Sequence, residues 1–174
     1  IGYLEMAFLV KPLEKWTTSY SERIYSQKKI YLWDNGVKTL LTGNGDEGNR
    51  AENAVFLELQ RNNIPCGYYA ESDREVDFVV GSVADPVPIE VKYITTFDWK
   101  DKRFDGVRLF LNRFPNVKNI LLITKSVELT TSVNNVAVHV VPLWKFLWSP
   151  QKNPVTVAFL PFPPINFLAD DLNI

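Results

Sequence analysis

The sequence predicts an α/β domain built on a mixed sheet flanked by helices. Three observations carry this: two amphipathic helical stretches, several short apolar runs that alternate or are wholly apolar, and their strand-helix-strand order along the chain. With 174 residues, 46% of them apolar and 13% aromatic, the chain can bury one sizeable core.

The elements follow in order. "MAFLVKPL" and "KKIYLWDNG" are short β-rich runs, the second closed by an Asn35-Gly36 turn signal, and residues 1–45 read as a strand-containing lead-in without evident chemistry. Residues 40–49 form a glycine-rich break. Beyond it "RAENAVFLELQRNN" sets Val55, Phe56 and Leu59 at helical spacing and ends near Asn62-Asn63. Glu52 precedes Val55 and Phe56 by three and four residues and so heads the inward stripe, whereas Glu58 lies off it and reads as a surface residue.

"CGYYA" starts a strand, followed by "EVDFVVG" and "PIEVKY" with a connection over Gly81 to Pro88. Period two puts Glu75, Asp77 and Val79 on one face and Val76, Phe78 and Val80 on the other. In the next strand Glu90 and Lys92 oppose Ile89, Val91 and Tyr93, so all the charge falls on one side. "KDKRFDGVRLFLNRF" is a second helix with Val107, Phe110, Leu111 and Phe114 on its stripe, stopped by Pro115. "NILLIT" and "VAVHVV" are strands, and "PLWKFLW" is a helical turn with Pro142 at its first position. Residues 46–150 are thus the core domain and 151–174 a proline-rich tail.

Composition excludes several functions. Nineteen basic against twenty acidic residues leave a net charge of -1, so affinity for nucleic acid requires a local patch. The single Cys66 and single His139 rule out an internal disulfide and a His-rich zinc site. Without a G-x-S-x-G elbow, a Ser-His-Asp hydrolase is disfavoured; His139 reads as a hydrogen-bonded structural residue and Cys66 as a packed small side chain. No apolar run approaches the roughly 20 residues that span a bilayer. A soluble, cytoplasmic protein is expected, and the opening on Ile1 without a leader predicts a piece of a longer chain.

The chemistry concentrates in four residues. Asp77 and Glu90 on adjacent strands supply the hard oxygens that Mg²⁺ or Mn²⁺ prefers, with the Val91 carbonyl as a further ligand. Lys92 would orient or help deprotonate an attacking water and offset developing charge, and Glu52 would bind a second ion or the water. Asp73 and Glu75 read as solvated charges at the strand entrance. Farther on, "TTFDWKDKRFDGVR" interleaves Phe97, Trp99 and Phe104 with Lys100, Lys102, Arg103 and Arg108. That composition suits a phosphate-tracking surface as well as a solvated helix start diluted by Asp98, Asp101 and Asp105.

Asp77 followed by Glu90-Val91-Lys92, with the helix-borne Glu52, resembles the PD-(D/E)XK nuclease superfamily. Val76 stands where the superfamily's name has proline, so the match rests on the acids and the lysine. "KIYLWDNGVKTLL", "GNRAENAVFLEL", "REVDFVV" and "PIEVKY", in this order, look like the nuclease-like domain of unknown function found C-terminal to many archaeal and bacterial AAA-type ATPases, over roughly residues 5 to 148. The resemblance implies a restriction-endonuclease-like core, α-β-β-β-α-β, and an ATPase domain upstream in the same chain. "TGNGDEGNR" itself lacks the GK[ST] ending of a phosphate loop.

Three functional readings stay open. The first is a Mg²⁺-dependent nuclease acting on DNA. The second is a non-catalytic DNA- or protein-binding module of the ATPase. In the third, the tail from Pro154 to Pro164 contacts a neighbouring subunit in an oligomer.

Overall fold

The computed structural model describes residues 1–43 and 45–148; the expected tail lies outside them. After α1 (Gly2–Met6), strand β1 (Val10–Leu13) pairs antiparallel with β2 (Lys29–Leu32), and α2 (Tyr20–Tyr25), capped by Ser19, lies between them in sequence. Asn35-Gly36 does not close a hairpin. The Asp34 carboxylate accepts the Val37 N–H at 2.8 Å and caps helix α3 (Asn35–Thr42), so an N-cap outcompetes the turn signal. Asp46 likewise accepts from Asn49 and starts α4 (Glu47–Arg61) inside the expected glycine-rich break.

Beyond α4 come β3 (Cys66–Glu71), β4 (Arg74–Ser82), β5 (Asp85–Val91), α5 (Asp105–Arg113), β6 (Asn119–Thr124), β7 (Leu129–Val133), β8 (Val136–Pro142) and α6 (Leu143–Leu147). From α4 to β6 the order is the expected α-β-β-β-α-β. The six strands form one mixed sheet in the order β3-β4-β5-β6-β8-β7, parallel at β5/β6 and β6/β8 and antiparallel elsewhere.

The β4–β5 connection is tighter than expected. Ser82 already pairs with Asp85, leaving Val83-Ala84 as a two-residue turn, and Gly81 takes φ +81, where an added Cβ would lie 2.4 Å from the Asp85 carbonyl. Strand β7 is an element the sequence reading lacks. Asn134 and Asn135, at φ 51 and 66, make the two-residue turn that folds it back on β8. Pro142 ends β8 and precedes α6 rather than occupying its first turn.

Helices cover both faces. The expected stripe Val55, Phe56 and Leu59 is fully buried with Phe78, Val80, Ile89, Val91, Leu121 and Ile123, and Phe146 of α6 joins them. On the other face Val107 and Phe110 of α5 bury Val76, Val79, Ile120, Leu122, Val138 and Val140. Val76 and Phe78 therefore face opposite sides, contrary to simple alternation. Against β3, Gly67 pairs with Val79 but Tyr69 with Val76, so β4 carries an extra residue there and the bulge resets the pleat at Asp77. Leu13 of β1 and Tyr31 of β2 lie in the α4-side core.

Candidate active site

The antiparallel β4/β5 ladder stops at Phe78–Ile89, while β5 continues beside β6 through Glu90–Leu122 and Val91–Ile123. Where the ladder stops, side chains replace it. The Asp77 N–H donates to the Glu90 carboxylate at 3.2 Å, and the Val91 N–H donates to the Asp77 carboxylate at 2.9 Å. Both acids are buried, and the Lys92 ammonium lies between them, 2.5 Å from Glu90 and 3.6 Å from Asp77. Sequence spacing alone placed these three together.

Glu52 reaches the same cluster from α4, through a residue to which the sequence reading assigned no chemistry. Lys29 of β2 sets its Nζ 2.8 Å from Glu52, 2.7 Å from Glu75 and 3.5 Å from Asp77. Tyr31, on the same side of β2, donates its hydroxyl to Glu52 at 2.6 Å while its ring stacks on Phe56. Strand period two in "KIYL" pairs Lys29 with Tyr31, the one signal in the sequence that could have flagged them. Glu75 is exposed as expected but is tied to Lys29, whereas Asp73 pairs with the neighbouring Arg74 guanidinium at the surface.

Electrostatics separate the acids. Burial, then the neighbouring Asp77, pushes Glu90 up to about 8 against the pull of Lys92. Asp77 is raised too, by burial and then by Glu52, with the two lysines opposing. Glu52 goes the other way: burial would raise it, but Lys29 and the Tyr31 hydroxyl outweigh that and hold it below the usual range. Burial disfavours charge on Lys92, yet Asp77 and Glu90 prevail and raise its pKa, so it stays an ammonium and is unsuited to act as a base in this state. Among the described residues no three His, Cys, Asp or Glu side chains stand in metal-holding geometry. Four carboxylates, Glu52, Glu75, Asp77 and Glu90, against two ammoniums nevertheless leave two negative charges when all are ionised.

A cleft of about 530 Å³ opens beside Lys92, lined by Gly45 to Gly48 at the head of α4, Val91 to Ile94, and Arg103. A second cleft of about 530 Å³, between Trp16, Tyr69 and Arg113, contains none of the expected site residues. The four expected phosphate contacts divide. Lys100 and Lys102 are exposed and make no ion pair among the described residues, while Arg103 pairs with Asp101 at 2.5 Å and borders the cleft. Arg108 is half-buried and holds the Trp99 and Asp101 carbonyls and Asp105, so it organises the loop rather than presenting a free cation. His139 shares a hydrogen bond with Asn119, and burial pushes the Cys66 thiol up to about 11.

Sheet order and helix placement define an α/β domain, a six-stranded mixed sheet flanked by helices, with a buried acid–lysine cluster where two of its strands part. The chain belongs to the family described as Domain of unknown function (DUF4143), which it matches over residues 47–146 and which is found with AAA ATPases. No curated protein matches the sequence. No helix among the described residues is long and apolar enough to cross a membrane.

Proposed function

We propose that this domain is a Mg²⁺- or Mn²⁺-dependent nuclease of the PD-(D/E)XK type, acting on DNA in the cytoplasm as part of an AAA-type ATPase. The observation that carries it is the convergence of Asp77 and Glu90 on Lys92 at the parting of β4 and β5, with Glu52 close by. Hard carboxylate oxygens fit a hard divalent cation. When bound, such an ion neutralises a scissile phosphate and acidifies a water beside it. Asp77 and Glu90 would hold it, with the Val91 carbonyl adjacent. Lys92 keeps its proton and supplies positive charge to the phosphoryl oxygens, and Arg103 and the exposed Lys100 and Lys102 carry the flanking backbone.

The test is cleavage of plasmid and linear DNA by the chain with Mg²⁺, Mn²⁺ or EDTA, using Asp77→Asn, Glu90→Gln and Lys92→Met. Divalent-dependent cutting lost at least a hundredfold in each variant supports the reading. Variants that cut like the parent sink it. A second reading, a DNA- or protein-binding module without catalysis, is favoured by the two ammoniums that already satisfy much of the cluster. It requires DNA or partner binding that survives both EDTA and these substitutions.

A further inference from the structure

The acidic cluster has two halves. Around Lys92 stand Asp77 and Glu90; around Lys29 stand Glu52, Glu75 and Asp77. Three carboxylates contributed by α4 and β4 surround one ammonium, at 2.8 Å for Glu52, 2.7 Å for Glu75 and 3.5 Å for Asp77, so Lys29 supplies the positive charge at the centre of that group. Two cations cannot occupy that point.

Lys29 is also held there by the fold rather than by its own flexible stem alone. Its strand is paired to β1 through Leu13, and the next turn of the pleat buries Tyr31 against Phe56, ring centroids 4.3 Å apart. The fully buried Asn53 of α4 then clamps β2 like a neighbouring strand, accepting the Leu32 N–H and donating to the Leu32 carbonyl, both at 2.9 Å. The Lys29 side chain is only 22% exposed, and withdrawing it would leave Glu52 and Glu75 without their ion-pair partner and Asp77 with Lys92 alone.

We infer that Lys29 is a built-in cation that takes the place of a second metal ion, so that the domain binds one divalent ion, at Asp77 and Glu90 beside Lys92. This inference rests on the metal-dependent reading above and replaces the sequence expectation that Glu52 supports a second ion. It makes the β1–β2 hairpin, which lies outside residues 47–146, a working part of the site. Lys29 is a positioning residue: it fixes the charge and placement of Glu52 and Asp77.

The experiment counts metal ions rather than turnover. Mn²⁺ is titrated into the metal-free chain by calorimetry, with free Mn²⁺ followed by electron paramagnetic resonance, for the parent, Lys29→Met, Lys29→Arg and Asp77→Asn. The parent is expected to bind one ion, Lys29→Arg one, and Lys29→Met two, or one at least tenfold tighter; Asp77→Asn loses the site. Should Lys29→Met be unfolded in EDTA, the ions bound per refolded chain on adding Mn²⁺ give the same count. A parent that binds two ions, or a Lys29→Met variant matching it in number and affinity, overturns the role of Lys29 and leaves the metal site standing. No Mn²⁺ bound by either chain sinks the metal-dependent reading and this inference with it.

Discussion

Replacing Glu90 by Gln tests the electrostatics of the cluster directly. Glu90 titrates near 4.5 in an unfolded chain but is pushed up to about 8 in the fold, so between these values the folded state holds a proton that the unfolded state releases. Stability from this group is complete below about 4.5 and is lost as pH rises through about 8. At 1.36 kcal/mol per pH unit the ceiling is about 5 kcal/mol, and because Asp77 and Glu90 share their protons a fall of about 2–4 kcal/mol is expected. His139 works in the opposite sense, since burial lowers its pKa and the unfolded chain binds the proton more readily. It does so equally in both proteins and cancels in the comparison. Urea unfolding followed by tryptophan fluorescence in EDTA, at pH 5.5, 7.0 and 8.5, reads the effect. The parent should lose stability across that range, and Glu90→Gln should be flatter and overtake it at pH 8.5. Saturating Mn²⁺ should flatten the parent as well. A parent whose pH profile coincides with that of Glu90→Gln in EDTA would show that the burial of this carboxylate has been misjudged.

Four other outcomes follow from packing and charge. Asn53→Ala leaves the Leu32 N–H and carbonyl without their buried partner and should lower unfolding free energy by about 2–4 kcal/mol, with faster amide exchange at Leu32. Gly106→Ala sets a Cβ 1.8 Å from the Glu75 carbonyl, a backbone contact that cannot yield, and should cost about 3 kcal/mol or more in urea unfolding. Lys100→Ala with Lys102→Ala should weaken DNA binding and lower the slope of log affinity against log salt by about 1–2 without changing stability, whereas Arg108→Met should lower the melting temperature because it releases the Trp99–Asp105 loop.

What the sequence disclosed divides by range. Val55, Phe56 and Leu59, and the trio Asp77, Glu90 and Lys92, were legible because periodicity and a single hairpin bring them together. Lys29 was not legible in its role, because it meets Glu52 across 23 residues and Asp77 across 48, through a strand whose docking depends on one buried Asn on another element. The bulge at Asp77 escaped for a related reason: an extra residue in β4 is defined only against β3, and a strand read alone shows an unbroken period. Asn35-Gly36 misled because Asp34, one residue earlier, offers a cap that suits a helix better than a turn.

The placement of the acids follows from the sheet itself. Strand β5 has an antiparallel neighbour on one side and a parallel one on the other, and the two ladders end at different residues. Beyond Phe78–Ile89 the N–H groups of Asp77 and Val91 have lost the facing strand, and buried donors of this kind must find other acceptors. The Glu90 and Asp77 carboxylates are those acceptors, so each acid both completes the sheet and carries the charge available for chemistry. Truncation to Ala removes both functions at once and leaves a buried N–H unpaired, which costs about 1–3 kcal/mol before any loss of catalysis is counted. Asn at 77 and Gln at 90 keep an accepting oxygen in place and remove only the charge. If those isosteres abolish divalent-dependent cleavage while the urea midpoint at pH 5.5 is kept, the carboxylates act through their charge; if Ala variants fail and the isosteres cut normally, the acids only close the gap between two strands.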